Sequence, residues 1–249
     1  MSEEHIIVSR DGAVVEICFN RPAKKNAITN AMYGAMADAV EAAHRDADAR
    51  AIVFTANGDF FSAGNDLKDF AAQSAGAFEG PRHVGRFLEC VINAEKPLVA
   101  AAQGHAVGVG TTMLFQCDLV YVAEDARLTM PFIDLGLVPE NASSLTVVER
   151  LGHARAFALL GLGEPLLGRE AAAWGLANAA LPAAEVAARA RAAAQKLAHK
   201  PAESLRLTKR LMREREALLA RMREEGELFA ERLTSPEAAA AFSAFLQKR

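Results

Sequence analysis

The chain has 249 residues, is 51% hydrophobic and carries a formal net charge of −3. This is a soluble, globular composition, with length for one large core or a core plus a small appendage. The near-neutral charge leaves no footprint for nucleic acid or an anionic membrane, and no stretch is long and apolar enough to span a bilayer. The N-terminal Met1-Ser2-Glu3-Glu4-His5 does not read as a secretory signal, and the closing Leu246-Gln247-Lys248-Arg249 is not the simple peroxisomal address. Cys18, Cys90 and Cys117 are odd in number, widely spaced and set in apolar runs. They read as free, packed thiols in a reducing compartment. A cytoplasmic protein is expected.

In chain order, residues 5–8 and 13–19 are strand-like and flank Asp11-Gly12, a hairpin signal. Pro22 ends the second strand. Thr29 or Asn30 can cap a helix to about Ala47, whose apolar stripe is Met32, Met36, Ala39, Val40 and Ala43. Residues 51–55 form a buried strand. The turn Phe60-Phe61-Ser62-Ala63-Gly64-Asn65-Asp66-Leu67 follows. Residues 69–80 are weakly patterned, and 81–94 have helical spacing. A short buried strand at 98–102 leads into the glycine turn 103–110, a helix at 111–117 and strands at 118–123 and 128–131. Ser143 or Ser144 opens a helix through Leu151, and another covers 153–160. From about Arg169 onward nearly everything reads as helix, broken by Pro201. Alternating strands and helices predict an α/β protein with crossover units. A main part to residue 195 and a helical region from 196 to 249 are expected, the latter with an apolar side at Leu211, Leu218, Met222 and Phe229 that needs covering.

Several chemistries lack their motifs. Gly104-x-x-x-Gly108-x-Gly110 has the wrong spacing for a dinucleotide fingerprint. There is no phosphate loop, no Gly-x-Ser-x-Gly elbow and no metal-ligand spacing among six histidines and three cysteines. His105 is read as structural. What remains is two glycine-containing strand-to-helix turns, at 62–66 and 104–110. If they meet, each can aim one backbone N–H at a developing oxyanion, with a helix N-terminus adding positive potential.

Asn20-Arg21-Pro22-Ala23-Lys24-Lys25-Asn26-Ala27, the 60–67 turn, Gly104-x-Ala106-x-Gly108 and Cys117-Asp118 resemble the crotonase (enoyl-CoA hydratase/isomerase) superfamily, over about residues 5–182. Lys24 to Ala27, Ser62 to Leu67 and Pro139-Glu140 resemble its peroxisomal-type Δ3,Δ2-enoyl-CoA isomerases. The resemblance implies a crotonase-like ββα spiral core with a C-terminal helical trimerisation region. It also implies an acyl-CoA thioester substrate and a homotrimer or dimer of trimers. Coenzyme A is then part of the substrate, with no separate cofactor, metal, nucleic acid or membrane partner. The implied oxyanion hole is the N–H of Ala63 and of Val109. Lys24, Lys25, Ala27, Asp66 and Leu67 would line the coenzyme, with Phe132 in the acyl pocket beside Val138, Leu137 and Phe115.

The acid/base group selects the reaction. The two glutamates of classical hydratases fall on Thr112 and Phe132 here, and neither serves as a base. Glu140 stands where the peroxisomal-type isomerases carry their catalytic glutamate. A single base suffices to move a double bond, so isomerisation in fatty-acid or aromatic-acid metabolism is expected. Hydration, dehydration, thioester hydrolysis and a non-catalytic RNA-binding role are the alternatives. The local basic run Lys196–Arg215 is partly offset by Glu203 and Glu214.

Overall fold

A computed structural model describes residues 4–66, 69 and 80–247. Strands β1 (Ile6–Asp11) and β2 (Val14–Phe19) form the expected hairpin. Then come helix α1 (Asn30–Arg45), β3 (Ala51–Ala56), β4 (Phe60–Ser62), α2 (His83–Ile92), β5 (Leu98–Ala102), β6 (His105–Val107) and α3 (Val109–Gln116). Strands β7 (Leu119–Ala123) and β8 (Arg127–Thr129) precede α4 (Ser143–Leu151), α5 (His153–Gly161), β9 (Leu166–Leu167), α6 (Gly168–Trp174) and β10 (Ala179–Leu181). The remaining helices are α7 (Ala183–Ala198), α8 (Ala202–Leu211), α9 (Arg215–Leu233) and α10 (Pro236–Gln247).

The strands divide between two sheets, one of order β1-β2-β3-β5-β7-β10 and one of order β4-β6-β8-β9. Successive pairs, β3 with β4, β5 with β6 and β7 with β8, each send a first strand to the large sheet and a second to the small one. Pairing is parallel from β2 through β10 and from β4 through β8. This is the mixed α/β, repeated ββα architecture that was expected. The central strands are almost wholly apolar because both faces are covered. Ala100, Ala101 and Ala102 are fully buried, and their small side chains let the alanine-rich α7 lie across β3, β5 and β7. Phe19 and Phe61 meet edge to face at 5.2 Å, and Phe54 and Phe87 at 6.3 Å. Burying each such ring contributes about 1.5–3 kcal/mol.

Three local readings change. The segments around residues 60 and 105 are strands rather than plain turns, because each finds a parallel partner in the other: Phe60 faces His105 and Ser62 faces Ala106. The tail is not wholly helical from Arg169, because Ala179–Leu181 pairs in parallel with Tyr121–Ala123 at the sheet edge. Leu211 does not join Leu218 and Met222 in the core but stands 83% exposed beside the exposed Met212. Among the described residues, no helix is long and apolar enough to cross a membrane.

Candidate active site

The pairing of β4 with β6 brings the two glycine turns side by side. Gly64 has φ +81, and a Cβ there would lie 2.7 Å from the Val107 carbonyl oxygen. Gly110 is as closely confined by Ser62 from the opposite direction. Only residues without side chains allow this approach. Gly108 caps α3 at φ 54, ψ −121, a conformation a side chain would strain. It turns the chain so that Val109 starts the helix with its N–H facing outward from the helix end. That N–H has no acceptor among the described residues.

The first turn is locked from below. Asn26 is fully buried; its Oδ1 accepts Arg21 N–H at 2.8 Å and its Nδ2 donates to the carbonyls of Asn57 and Phe60 at 2.9 and 2.8 Å. Ser62 Oγ donates to Asn26 O at 2.9 Å and accepts Gly64 N–H at 3.1 Å. Ala63 N–H donates to Lys25 O at 2.8 Å. The next donors diverge: Asp66 N–H bonds Ile28 O, whereas Asn65 N–H has no acceptor among the described residues. Tyr33, a buried residue of α1, donates its hydroxyl to Asn65 Oδ1 at 2.6 Å and so fixes that side chain.

Glu140 enters from the loop before α4. Thr112, on the first turn of α3, donates its hydroxyl to Glu140 Oε1 at 2.6 Å. The carboxylate therefore sits within one helical turn of Val109. Burial pushes its pKa up to about 7; the Thr112 hydrogen bond opposes the rise, and the charge of Glu225 adds to it. Tyr33 lies near enough to feel that carboxylate. Burial foremost, and then the charge of Glu140, holds its hydroxyl well above the usual range. A carboxyl that ionises near neutral pH, beside two unclaimed backbone N–H groups, can exchange a proton with a carbon acid whose anion those donors stabilise.

The family model for enoyl-CoA hydratase/isomerase matches residues 9–249. The chain belongs to the enoyl-CoA hydratase/isomerase family, the crotonase superfamily. Members of this family act on acyl-CoA thioesters. The chain is 37% identical over 250 residues to the rat (Rattus norvegicus) "Enoyl-CoA delta isomerase 2", covering 98% of this chain and 64% of that protein's length. It is 32% identical to the Escherichia coli K12 "2,3-dehydroadipyl-CoA hydratase", covering 100% of this chain and 97% of that one. The solved structure of Pseudomonas aeruginosa OdaA superposes with a TM-score of 0.92 at 45% identity, covering 98% and 99% of the two chains.

Within this crotonase fold, the expected site residues separate. Glu140, Val109 and Thr112 come together, and Thr112 is a partner of Glu140 rather than a bare loss of carboxylate. Ala63 must be corrected as an oxyanion donor, because its N–H is already held by Lys25 O. The Asp66 carboxylate pairs with Arg21 Nη1 at 2.6 Å and ties the Asn20-Arg21-Pro22 segment to the glycine turn. Lys24 and Lys25 are exposed, with Lys25 Nζ 4.8 Å over the Phe60 ring, and Ala27 is half-buried beside them. Phe132 is buried and meets Phe229 edge to face at 6.4 Å. Leu67 lies outside the described residues. His105 is structural as expected, its Nδ1 accepting Arg127 N–H at 3.0 Å. Sequence reasoning missed Asn65, Tyr33 and Glu225. No sequence signal marked Asn65, because the alternation of donors that leaves its N–H open arises only with the parallel bridge to Ile28. Nothing in the spacing marked Tyr33 or Glu225, which arrive from distant helices.

Proposed function

We propose that the protein isomerises 3-enoyl-CoA thioesters to 2-trans-enoyl-CoA, with Glu140 as the single acid/base. The observation that carries this reading is Glu140 itself: one carboxyl, tuned to about 7, held by Thr112 at the start of α3. The thioester oxygen lies between Asn65 N–H and Val109 N–H. Glu140 removes a proton from C2. The electron pair delocalises onto the thioester oxygen as a dienolate, which the two N–H groups and the α3 dipole stabilise. Glu140 then returns the proton at C4, and the double bond moves to C2–C3. Charge and atoms balance without a redox group or metal. Coenzyme A enters only as part of the substrate, along the Lys24–Ala27 loop.

Hydration needs a group to activate water and a means to protonate carbon. With Thr112 and Phe132 at the positions of the hydratase glutamates, the site favours the one-base reaction. Purified enzyme assayed with 3-hexenoyl-CoA and crotonyl-CoA separates the two. Fast isomerisation with slow hydration is expected; hydration of crotonyl-CoA outpacing isomerisation would overturn the assignment. Assembly as a trimer or dimer of trimers is part of this reading. It is supported by the exposed Leu211, Met212, Phe157 and Leu162, large apolar side chains of the kind a subunit interface covers.

A further inference from the structure

The C-terminal helix α9 delivers a second carboxylate to the far side of the Glu140 loop. Glu225 is only 4% exposed. Its Oε1 accepts Ser144 N–H at 2.8 Å, while its Oε2 has no partner among the described residues. Helix α4 begins at Ala142 with no side-chain cap of its own, although Ser143 and Ser144 stand beside it. Glu225 thus supplies from 81 residues away what a local Ser or Asp supplies in most helices.

The segment it clamps is strained. Asn141 at φ 64 and Ala142 at φ 55 are consecutive left-handed residues without being glycine. Such a conformation is unfavourable for a residue with a side chain and persists only where the surroundings enforce it. Gln116 Nε2 holds the Asn141 carbonyl at 2.6 Å, and Arg213 grips Gln116 in turn. Glu225 holds the N–H side. Glu140 is the residue immediately before this pair, so the clamp sets the direction from which its side chain leaves the backbone.

We propose that Glu225 is a positioning residue for Glu140, clamping the Asn141–Ser144 turn that aims it and placing a second negative charge behind it. This rests on Glu140 being the base. The ionisable groups that act on one another here are Glu140, Tyr33 from α1, and Glu225 and Arg221 from α9; Arg221 Nη1 also donates to Ser144 Oγ at 3.1 Å. Burial raises the Glu225 carboxyl, and the amides of Ser144 and Ala142 favour its charged form. With that charge present Glu140 holds its proton to higher pH.

Two substitutions test the proposal. Glu225→Gln keeps the shape and an oxygen for Ser144 N–H but removes the charge. The acid limb of its kcat/KM profile on 3-hexenoyl-CoA is expected to move to lower pH by roughly half a unit, a threefold change in proton affinity. Glu225→Ala loses the clamp as well, and a further drop in kcat of about tenfold is expected. A parallel measurement needs no activity. The unfolding free energy is followed across pH with and without Glu140→Gln, once with Glu225 intact and once in the Glu225→Gln background. The pH window over which Glu140→Gln changes stability should also move down when Glu225 is replaced. If both the limb and the window stay in place in Glu225→Gln, the proposal is overturned. If Glu140→Gln keeps parental turnover, the base reading falls instead, and the unfolding comparison alone decides whether the two carboxylates are coupled.

Discussion

Helices α3 and α4 both begin without a side-chain cap of their own, and they are finished in opposite ways. Gly108 leads α3 out with the Val109 N–H unclaimed among the described residues. Ala142 leads α4 out with Glu225 seated on the Ser144 N–H. A helix N-terminus carries partial positive charge from its unpaired amides. Where the protein supplies its own carboxylate the end is structural. Where it supplies none the end stays open, and in the proposed mechanism it receives the negative charge that exists only during the reaction. Glu140 stands between the two, bonded to the first turn of α3 and joined through Asn141 to α4.

The largest expected effect breaks the link between these ends. Glu140→Gln should lower kcat for 3-enoyl-CoA isomerisation by about 10²–10⁴-fold in a steady-state assay, with the fold intact by circular dichroism. Next is the open end. Gly108→Ala forces a side chain into φ 54, ψ −121, swings the Val109 amide, and should reduce kcat by roughly 10²-fold with a smaller change in KM. Smaller again is Thr112→Val. It removes the hydrogen bond that favours the Glu140 carboxylate, so the acid limb of kcat/KM should move to higher pH, opposite in sign to the Glu225→Gln shift. A limb that does not move would show that Thr112 merely packs there.

A separate effect is on stability. The folded Glu140 carboxyl ionises near 7, above its ordinary 4.5. The folded state therefore binds the proton more tightly than the unfolded chain. This stabilisation is complete below about pH 4.5 and is lost as pH rises to about 7, on the order of 3 kcal/mol. Urea unfolding of the parent against Glu140→Gln should show the gap close below pH 4.5 and open toward pH 7, with the parent the less stable there.

The alternation of strands and helices, the hairpin at Gly12 and the buried runs of β3, β5 and β7 were legible because periodicity and turn residues are local. The short strands β4 and β6 were not, since three residues become a strand only when a distant partner presents its edge. The same limit explains the site. Motifs named Glu140, Val109 and Ala63, but they could not say which N–H groups of the two turns are left open. Which N–H in a turn is taken depends on the Lys24–Ala27 loop folding beneath it. Ser143 and Ser144 read as caps for α4, yet a glutamate far along the chain takes that place. Composition cannot say which of two satisfactory partners a helix end will find.

Asn26 could not be exchanged for its acid without consequence. Its amide nitrogen points both hydrogens at the carbonyls of Asn57 and Phe60, while its oxygen receives Arg21 N–H. Slow hydrolysis of that amide to a carboxylate would turn two donated bonds into oxygen facing oxygen at a fully buried position, costing several kcal/mol. The Lys25 carbonyl that occupies the Ala63 amide belongs to the neighbouring peptide unit. A change of one atom, invisible to any assay of shape on the surface, would thus unseat the floor of the glycine turn.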